Sequence, residues 1–270
     1  MTSLKGRYKL APIVSAKIEQ LMSGWKSIHH EMEIIYIVEG SAKIKISNMT
    51  FTAKKGELYF VNPMEIHSVT AVDNKPHLHY CICFDLSLIA DKSLTKAILN
   101  GKVSILNNIA DKNQDFSRIV ELFMALYDAV EKQNKTLMLD ASAYASMMFS
   151  ELINGGYAIE NDKHDKSKNF IKRSMEYISE HYTERLTSKQ IAEALFYDQS
   201  YYCRVFKNNF GVSFSEYLNI YRILMAQDML NDHSKKIVEV ASECGFTSQT
   251  YFTKCFRKNI GMTPMEYRNQ

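Results

Sequence analysis

The spacing of hydrophobic positions changes period along the chain. Up to about residue 105, apolar residues come in short runs rich in β-branched and aromatic types: "EIIYIVEG" (33–40), "AKIKI" (42–46), "MTFTA" (49–53), "GELYFVNP" (56–63) and "HLHYCICFDL" (77–86). Turn-forming residues separate them at Glu39–Gly40, Ser47–Asn48, Gly56, Asn62–Pro63 and Asp73–Asn74. This pattern predicts many short strands in a sandwich or barrel. On the run 77–86, strict alternation sets His77, His79, Cys81 and Cys83 on one face and Leu78, Tyr80, Ile82 and Phe84 on the other. Four ligands in a row on one strand cannot wrap an ion, so the first set is read as a polar strand face.

From about 114 to 154 the period becomes helical. Ile119, Phe123, Leu126 and Val130 align in one helix, and Leu137, Leu139, Tyr144, Met147, Met148 and Leu152 in a second. "KQNK" joins them, which predicts a hairpin whose leftover apolar stripe serves a dimer. The polar stretch 155–168, "GGYAIENDKHDKSK", is the linker candidate, and everything beyond it has helical period. The domain reading is therefore 1–112, a hairpin over 113–154, a linker over 155–167, and a helical domain over 168–270.

The helical domain contains a repeat. "QSYYCRVFKNNFG" begins at Gln199 and "QTYFTKCFRKNIG" fifty residues later at Gln249, and the spacing holds through Glu216–Tyr217 and Glu266–Tyr267. Each copy parses as helix, tight turn, helix. Thr187 and Gln190 are spaced as a capping box ahead of a helix over 188–195, and Asp198 caps a second helix that Gly211 stops. In the second copy Ser234 precedes "KKIVEVASEC", Gly245 makes the turn, and Ser248 caps a helix over 249–259. Ser213–Glu216 and Thr263–Glu266 are further capping boxes, the latter with Pro264 at the first helical position. Between the copies, 213–230 reads as a helix of roughly 16 residues, about 24 Å long. A rod of that length sets two recognition helices about one turn of B-DNA apart.

The composition belongs to an ordinary globular chain: 270 residues, 46% hydrophobic and 23% charged. No apolar run reaches the roughly 18–20 residues of a membrane span, and "MTSLKGRYKLAP" lacks a signal-peptide core, so a cytoplasmic location without membrane attachment is expected. Five cysteines without a CxxC pair agree with that. Residues 166–270 hold 15 Lys and Arg against 11 Asp and Glu, whereas residues 1–165 hold 18 against 19. The repeat-bearing half is the basic half, a mild pointer to a polyanion. No nucleophile–base pair, phosphate-cradling loop or paired-acid motif stands out, so no enzyme activity and no cofactor are expected.

The C-terminal hundred residues resemble the DNA-binding domain of the AraC/XylS transcription regulators, most diagnostically in "GFTSQTYFTKCFRKNIGMTPMEYR". Helical spacing makes Tyr202, Val205 and Phe206, and Phe252, Cys255 and Phe256, the inward stripes. The resemblance implies base reading from the opposite faces: Gln199, Ser200, Cys203 and Arg204, then Gln249, Thr250, Thr253 and Lys254. Arg204 suits guanine and Gln249 adenine, while Lys207, Arg257 and Lys258 suit phosphates. Phe196 stands where the family usually has a glycine, as Gly245 is in the second copy. A bulky residue there is strained if left-handed, so either the turn differs or the first reader sits differently.

"IHHEMEIIYIVEG" followed by "GELYFVNPMEIHSV" resembles the cupin barrel that many of these regulators carry as a sensor. His29, Glu33 and His67 fall at three of the four slots that hold metal in metal-binding cupins, and Ser27 replaces the remaining histidine. These residues, with Trp25, are read as an effector pocket, and metal is the weaker alternative for them. The fold class implied is α+β multidomain: an N-terminal cupin-like barrel with a helical hairpin, then an all-α domain with two helix-turn-helix units. The implied function is an activator that binds promoter DNA as a homodimer, recruits RNA polymerase and answers a small metabolite, a sugar or derivative first among them. The competing readings are a constitutive or protein-gated regulator whose barrel only dimerises, and a metal-dependent cupin enzyme with an appended DNA-binding domain.

Overall fold

A computed structural model describes residues 13–20 (as backbone), 26–73, 75–112, 114–133, 135–160 and 166–269. Among the described residues, the N-terminal half holds nine strands: β1 Ile13–Gln20, β2 Met32–Glu39, β3 Ser41–Ile46, β4 Met49–Lys54, β5 Leu58–Val61, β6 His67–Ala71, β7 His77–Phe84, β8 Val103–Ile105 and β9 Ala158–Glu160. They pair antiparallel in a four-stranded sheet ordered β1-β7-β2-β5, a three-stranded sheet ordered β4-β3-β6, and a β8–β9 ribbon. All five predicted strands are present. The two large sheets bury a common core, in which Ile35, Ile37, Tyr59, Val61 and Cys81 of one meet Ala42, Ile44, Ile46 and Ala53 of the other. In β3 alternation produces this directly, with Ala42, Ile44 and Ile46 inward and Lys43 and Lys45 outward, whereas β2 is apolar on both faces, Ile35 and Ile37 between the sheets and Met32 and Ile34 towards the helices.

The same alternation corrects the reading of β7. His77 and His79 are each 2% exposed, and Cys81 and Cys83 are buried beside them, so the row read as a polar strand face is enclosed between the sheets. The opposite row, with Ile82 and Phe84, packs on helices. α1 Lys92–Leu99 follows the sheets, and then α2 Ser117–Lys132 and α3 Leu137–Asn154 form the predicted hairpin. Ile119, Phe123, Leu126 and Val130 of α2 lie against Met32, Ile34, Phe60 and Phe84 as their period requires. The stripe of α3 is corrected: Ala141, Ala145, Met148, Phe149 and Leu152 face the core, whereas Leu139 and Met147 are exposed. Small alanines let α3 approach closely, a feature that a search for large apolar residues overlooks.

The linker is also shorter than expected. Tyr157 is buried in the core of the first domain, and β9 pairs Ala158 with Ile105 through Glu160 with Val103, so 155–160 belong to that domain. The C-terminal domain comprises α4 Lys166–His181, α5 Ser188–Ala194, α6 Gln199–Phe210, α7 Phe214–Leu230, α8 Ile237–Glu243, α9 Gln249–Ile260 and α10 Pro264–Arg268. One aromatic core packs α4, α5, α6 and the first half of α7; a second packs the rest of α7 with α8, α9 and α10. Hence α7 is shared by both units. Among the described residues no helix is long and apolar enough to cross a membrane.

Candidate nucleic-acid interface and sensor site

The outward faces of α6 and α9 follow from how the two helices are anchored. Asp198 accepts the Tyr201 amide and Ser248 accepts the Tyr251 amide, starting both helices at their glutamines. Gly211 and Gly261, both left-handed, stop them. Tyr202, Phe206, Phe252 and Phe256 are fully buried, with Val205 half-buried where Cys255 is buried. This fixes the rotation of each helix. Gln199, Ser200, Arg204 and Lys207 are consequently exposed and Cys203 half-exposed; Gln249, Thr250, Lys254, Arg257 and Lys258 are exposed and Thr253 half-exposed. The structure thus brings all eleven sequence-derived positions onto two outward faces of matching pattern. Each recognition helix also carries the same internal bond near its end, Asn209 Nδ2 to Val205 O and Asn259 Nδ2 to Cys255 O, each 2.8 Å.

Sequence reasoning overlooks Tyr201. Its ring lies 5.7 Å from the Arg204 guanidinium and stacks on Tyr197, so it steadies the first reader from one turn away. The i, i+3 spacing was available as a signal. The equivalent Tyr251 is used otherwise, accepting a 2.9 Å bond from Asn219 of α7.

The question raised by Phe196 has a plain answer. Its φ is +64°, against +79° at Gly245, so both turns leave the first helix through a left-handed residue, but the first turn is one residue shorter (195–198 against 244–248), and Phe196 is a strained residue whose ring stays 90% exposed. Gly245 has no such freedom. A Cβ there would stand 2.5 Å from Tyr182 O and 3.0 Å from Arg222 Nε. Arg222 donates to Tyr182 O at 2.7 Å and Glu184 O at 2.6 Å, stitching the loop after α4 to α7.

In the sheet domain, His29, Glu33 and His67 do converge. Glu33 Oε2 lies 2.7 Å from His67 Nε2 and 3.1 Å from His29 Nε2, and the two imidazoles meet edge to face. Backbone bonds in both directions between Ser27 and His67 hold the approach. Burial alone would raise the Glu33 carboxyl, but the opposing charge of His67 and the bonds from both histidines outweigh it and hold it far below the carboxylate range. Burial likewise pulls His67 down, and Glu33 reverses that and raises it. Trp25 lies outside the described residues. Cys83, which sequence reasoning left aside, stands opposite Glu33 in the β2–β7 register, and its sulfur lies within 4.8 Å of donor atoms of His29 and Glu33. This set of nitrogen, oxygen and sulfur donors is one that a transition-metal ion accepts.

The segment 26–31 that carries His29 also touches the helical domain. Lys26 Nζ pairs with Glu216 at 2.6 Å, and Ile28, Met64 and Ile66 pack into the core of the first helix-turn-helix unit. A cleft of about 240 Å³ lies between the domains, with Lys26, Ile28 and His29 on one side and Ile223, Leu224 and Ile260 on the other.

A sheet-rich domain in contact with two helix-turn-helix units on one shared rod defines a two-domain, DNA-binding regulator with a sensing half. Comparison with known proteins agrees. Residues 20–147 match the model of the AraC-like ligand binding domain, and residues 191–270 that of a helix-turn-helix domain. The chain belongs to the AraC family of DNA-binding transcription regulators. It is 22% identical over 236 residues to the uncharacterized HTH-type transcriptional regulator YdeC of Bacillus subtilis, spanning 85% of this chain and 81% of that one. Another relative, the uncharacterized regulator YijO of Escherichia coli, is 35% identical over 81 residues, 30% of this chain and 29% of its own. Among solved structures, an apo single-substitution form of ToxT from Vibrio cholerae superposes with a TM-score of 0.59 at 17% identity, over 97% of this chain and 99% of that one. ToxT with an unsaturated fatty acid bound superposes at 0.53 and 15% identity, over 95% and 94%.

Proposed function

We propose that this chain is an effector-responsive transcription activator that reads two successive major grooves with α6 and α9. The observation that carries the reading is the matched pair of outward faces fixed on one rigid α7. Arg204 and Gln249 read base edges together with Gln199, Ser200, Cys203, Thr250, Thr253 and Lys254, and Lys207, Arg257 and Lys258 grip phosphates. Promoter binding tests this: Arg204→Ala should weaken affinity about 5- to 150-fold, the range of one bidentate base contact. Unchanged affinity in both Arg204→Ala and Lys254→Ala would overturn the assignment of readers. Affinity should also fall steeply with salt as phosphate contacts release counterions.

The sensor reading is that a small metabolite changes how the sheet domain holds the first unit, through different affinity for two domain arrangements. A sugar or derivative at the Trp25, His29, Glu33 and His67 pocket is the first class to test. The interdomain cleft favours a second, an apolar acid, since isoleucine and leucine line it, and Lys26, itself paired with Glu216, stands at its edge beside Glu31 and Asp228. ToxT, which shares the fold, has been solved with such acids. A melting-temperature panel of sugars and apolar acids on the full-length chain separates the two, because a ligand that prefers the native state raises Tm by mass action. Exposed Leu139 and Met147 on α3 support a homodimer, and dimerisation and RNA polymerase recruitment belong to the same proposal.

A further inference from the structure

Sequence spacing alone leaves three candidate donors around Ser27, one short of a metal-binding cupin. The fold supplies another donor from a strand that the spacing does not point to. Cys83 enters from β7, Glu33 from β2 and His29 from the segment leading into β2, and their donor atoms lie within 4.8 Å of one another. They converge from separate segments, which the row His77, His79 and Cys81 along a single strand cannot do. His67 reaches the same Glu33 oxygen from β6 at 2.7 Å. Glu33, His67 and Cys83 are all more than nine-tenths buried. One imidazole, one carboxylate and one thiolate form a borderline-soft set that suits zinc and its neighbours and disfavours magnesium or calcium.

We propose that the sheet domain binds one divalent transition-metal ion, of which zinc is the prototype, on His29, Glu33 and Cys83, with His67 as a positioning residue that orients the Glu33 carboxylate. His29 lies on the segment that pairs with Glu216 through Lys26 and packs Ile28 against the first helix-turn-helix unit. An ion at His29 therefore pins the element through which the two domains touch. The inference does not rest on the metabolite reading, and its test uses no DNA, so either can fail alone.

The full-length chain, stripped of metal, is titrated with Co²⁺ and then Zn²⁺ while absorption is followed. The expected result is one equivalent of Co²⁺ with a thiolate-to-metal charge-transfer band, displaced by Zn²⁺, and no Tm change with Mg²⁺. Cys83→Ser should remove the band and Cys81→Ser should keep it. His67→Ala should keep the band at about 10- to 100-fold weaker affinity, as loss of an orienting partner does. A role for His67 in folding alone would leave metal affinity unchanged. X-ray absorption on the zinc-loaded wild type covers the case in which Cys83→Ser fails to fold, with one sulfur neighbour expected. Absence of stoichiometric binding, a band that survives Cys83→Ser, or zinc without a sulfur neighbour would each overturn the proposal.

Discussion

The two helix-turn-helix units share their residues almost slot for slot, yet the sheet domain treats them differently. In the second unit Glu266 closes its own capping box, accepting the Thr263 amide at 2.6 Å while the Thr263 hydroxyl accepts the Glu266 amide. In the first, Ser213 still accepts the Glu216 amide, but the Glu216 carboxylate has turned to Lys26 of the sheet domain. Gly211 and Gly261 both end recognition helices, but a Cβ on Gly211 would collide with Ser47 O in the β3–β4 turn. Ser47 and Met64, on the loops that meet the first unit, are themselves left-handed. The second unit lines the cleft that faces the sheet domain, with Asn259, Ile260 and Tyr267. A duplicated motif has thus kept the same outward face in both copies and turned its spare contacts to two uses.

The largest test of this contrast exchanges the turn residues. Gly245→Ala combines left-handed strain with a backbone clash at Tyr182, and should cost about 3 kcal/mol. Phe196→Gly relieves the same strain with nothing lost from the core, and should stabilise by about 1 kcal/mol. Chemical denaturation of both variants measures the pair, and equal effects would erase the distinction between the turns. Next come the helix stops. Gly261→Ala should cost about 1 kcal/mol from left-handed strain, whereas Gly211→Ala adds the collision with Ser47, should cost more and should also part the domains, seen as faster limited proteolysis between them. If Gly211→Ala matches Gly261→Ala in both readouts, the close approach of Ser47 contributes nothing.

The smallest expected effect is at the capping glutamates. Glu216→Gln removes an ion pair that is about one-third exposed at each end, worth at most about 1 kcal/mol after solvent screening. That loss should shrink in high salt. Glu266→Gln should be milder and nearly insensitive to salt, since glutamine still serves a capping box. Thermal melts at low and high salt decide between them. A salt-insensitive Glu216→Gln would mean that the pair with Lys26 does not form in solution.

How much of this is legible beforehand depends on the range of the interaction. The repeat, most of its caps and its inward stripes are local, set by residues three or four apart, and they match the structure within a residue or two, the Ser213–Glu216 box being half formed. The five strands with strong β-branched content are legible for the same reason. β6 "HSVTA" and the three-residue strands β8 and β9 carry weak patterns, and pairing with distant partners creates them. Alternation separates the two faces of β7 but does not say which one is enclosed, because histidine and cysteine suit either. The convergence of Glu33 with His29 and His67 is visible through the resemblance to cupins. Cys83 is not, because its proximity to Glu33 is a matter of strand register across fifty residues of chain. The diversion of Glu216 is hidden for a similar reason: Lys26 lies 190 positions away.

The helix α7 has one more consequence. On the proposed two-groove reading it joins the two readers covalently, so that once α6 has found its groove α9 would search only the small volume that the rod permits. The second binding event then proceeds at an effective concentration set by 17 helical residues and not by the amount of protein in the cell. Each reader alone needs only modest affinity, and an operator that separates its half-sites by half a helical turn forfeits the advantage even with every base contact available.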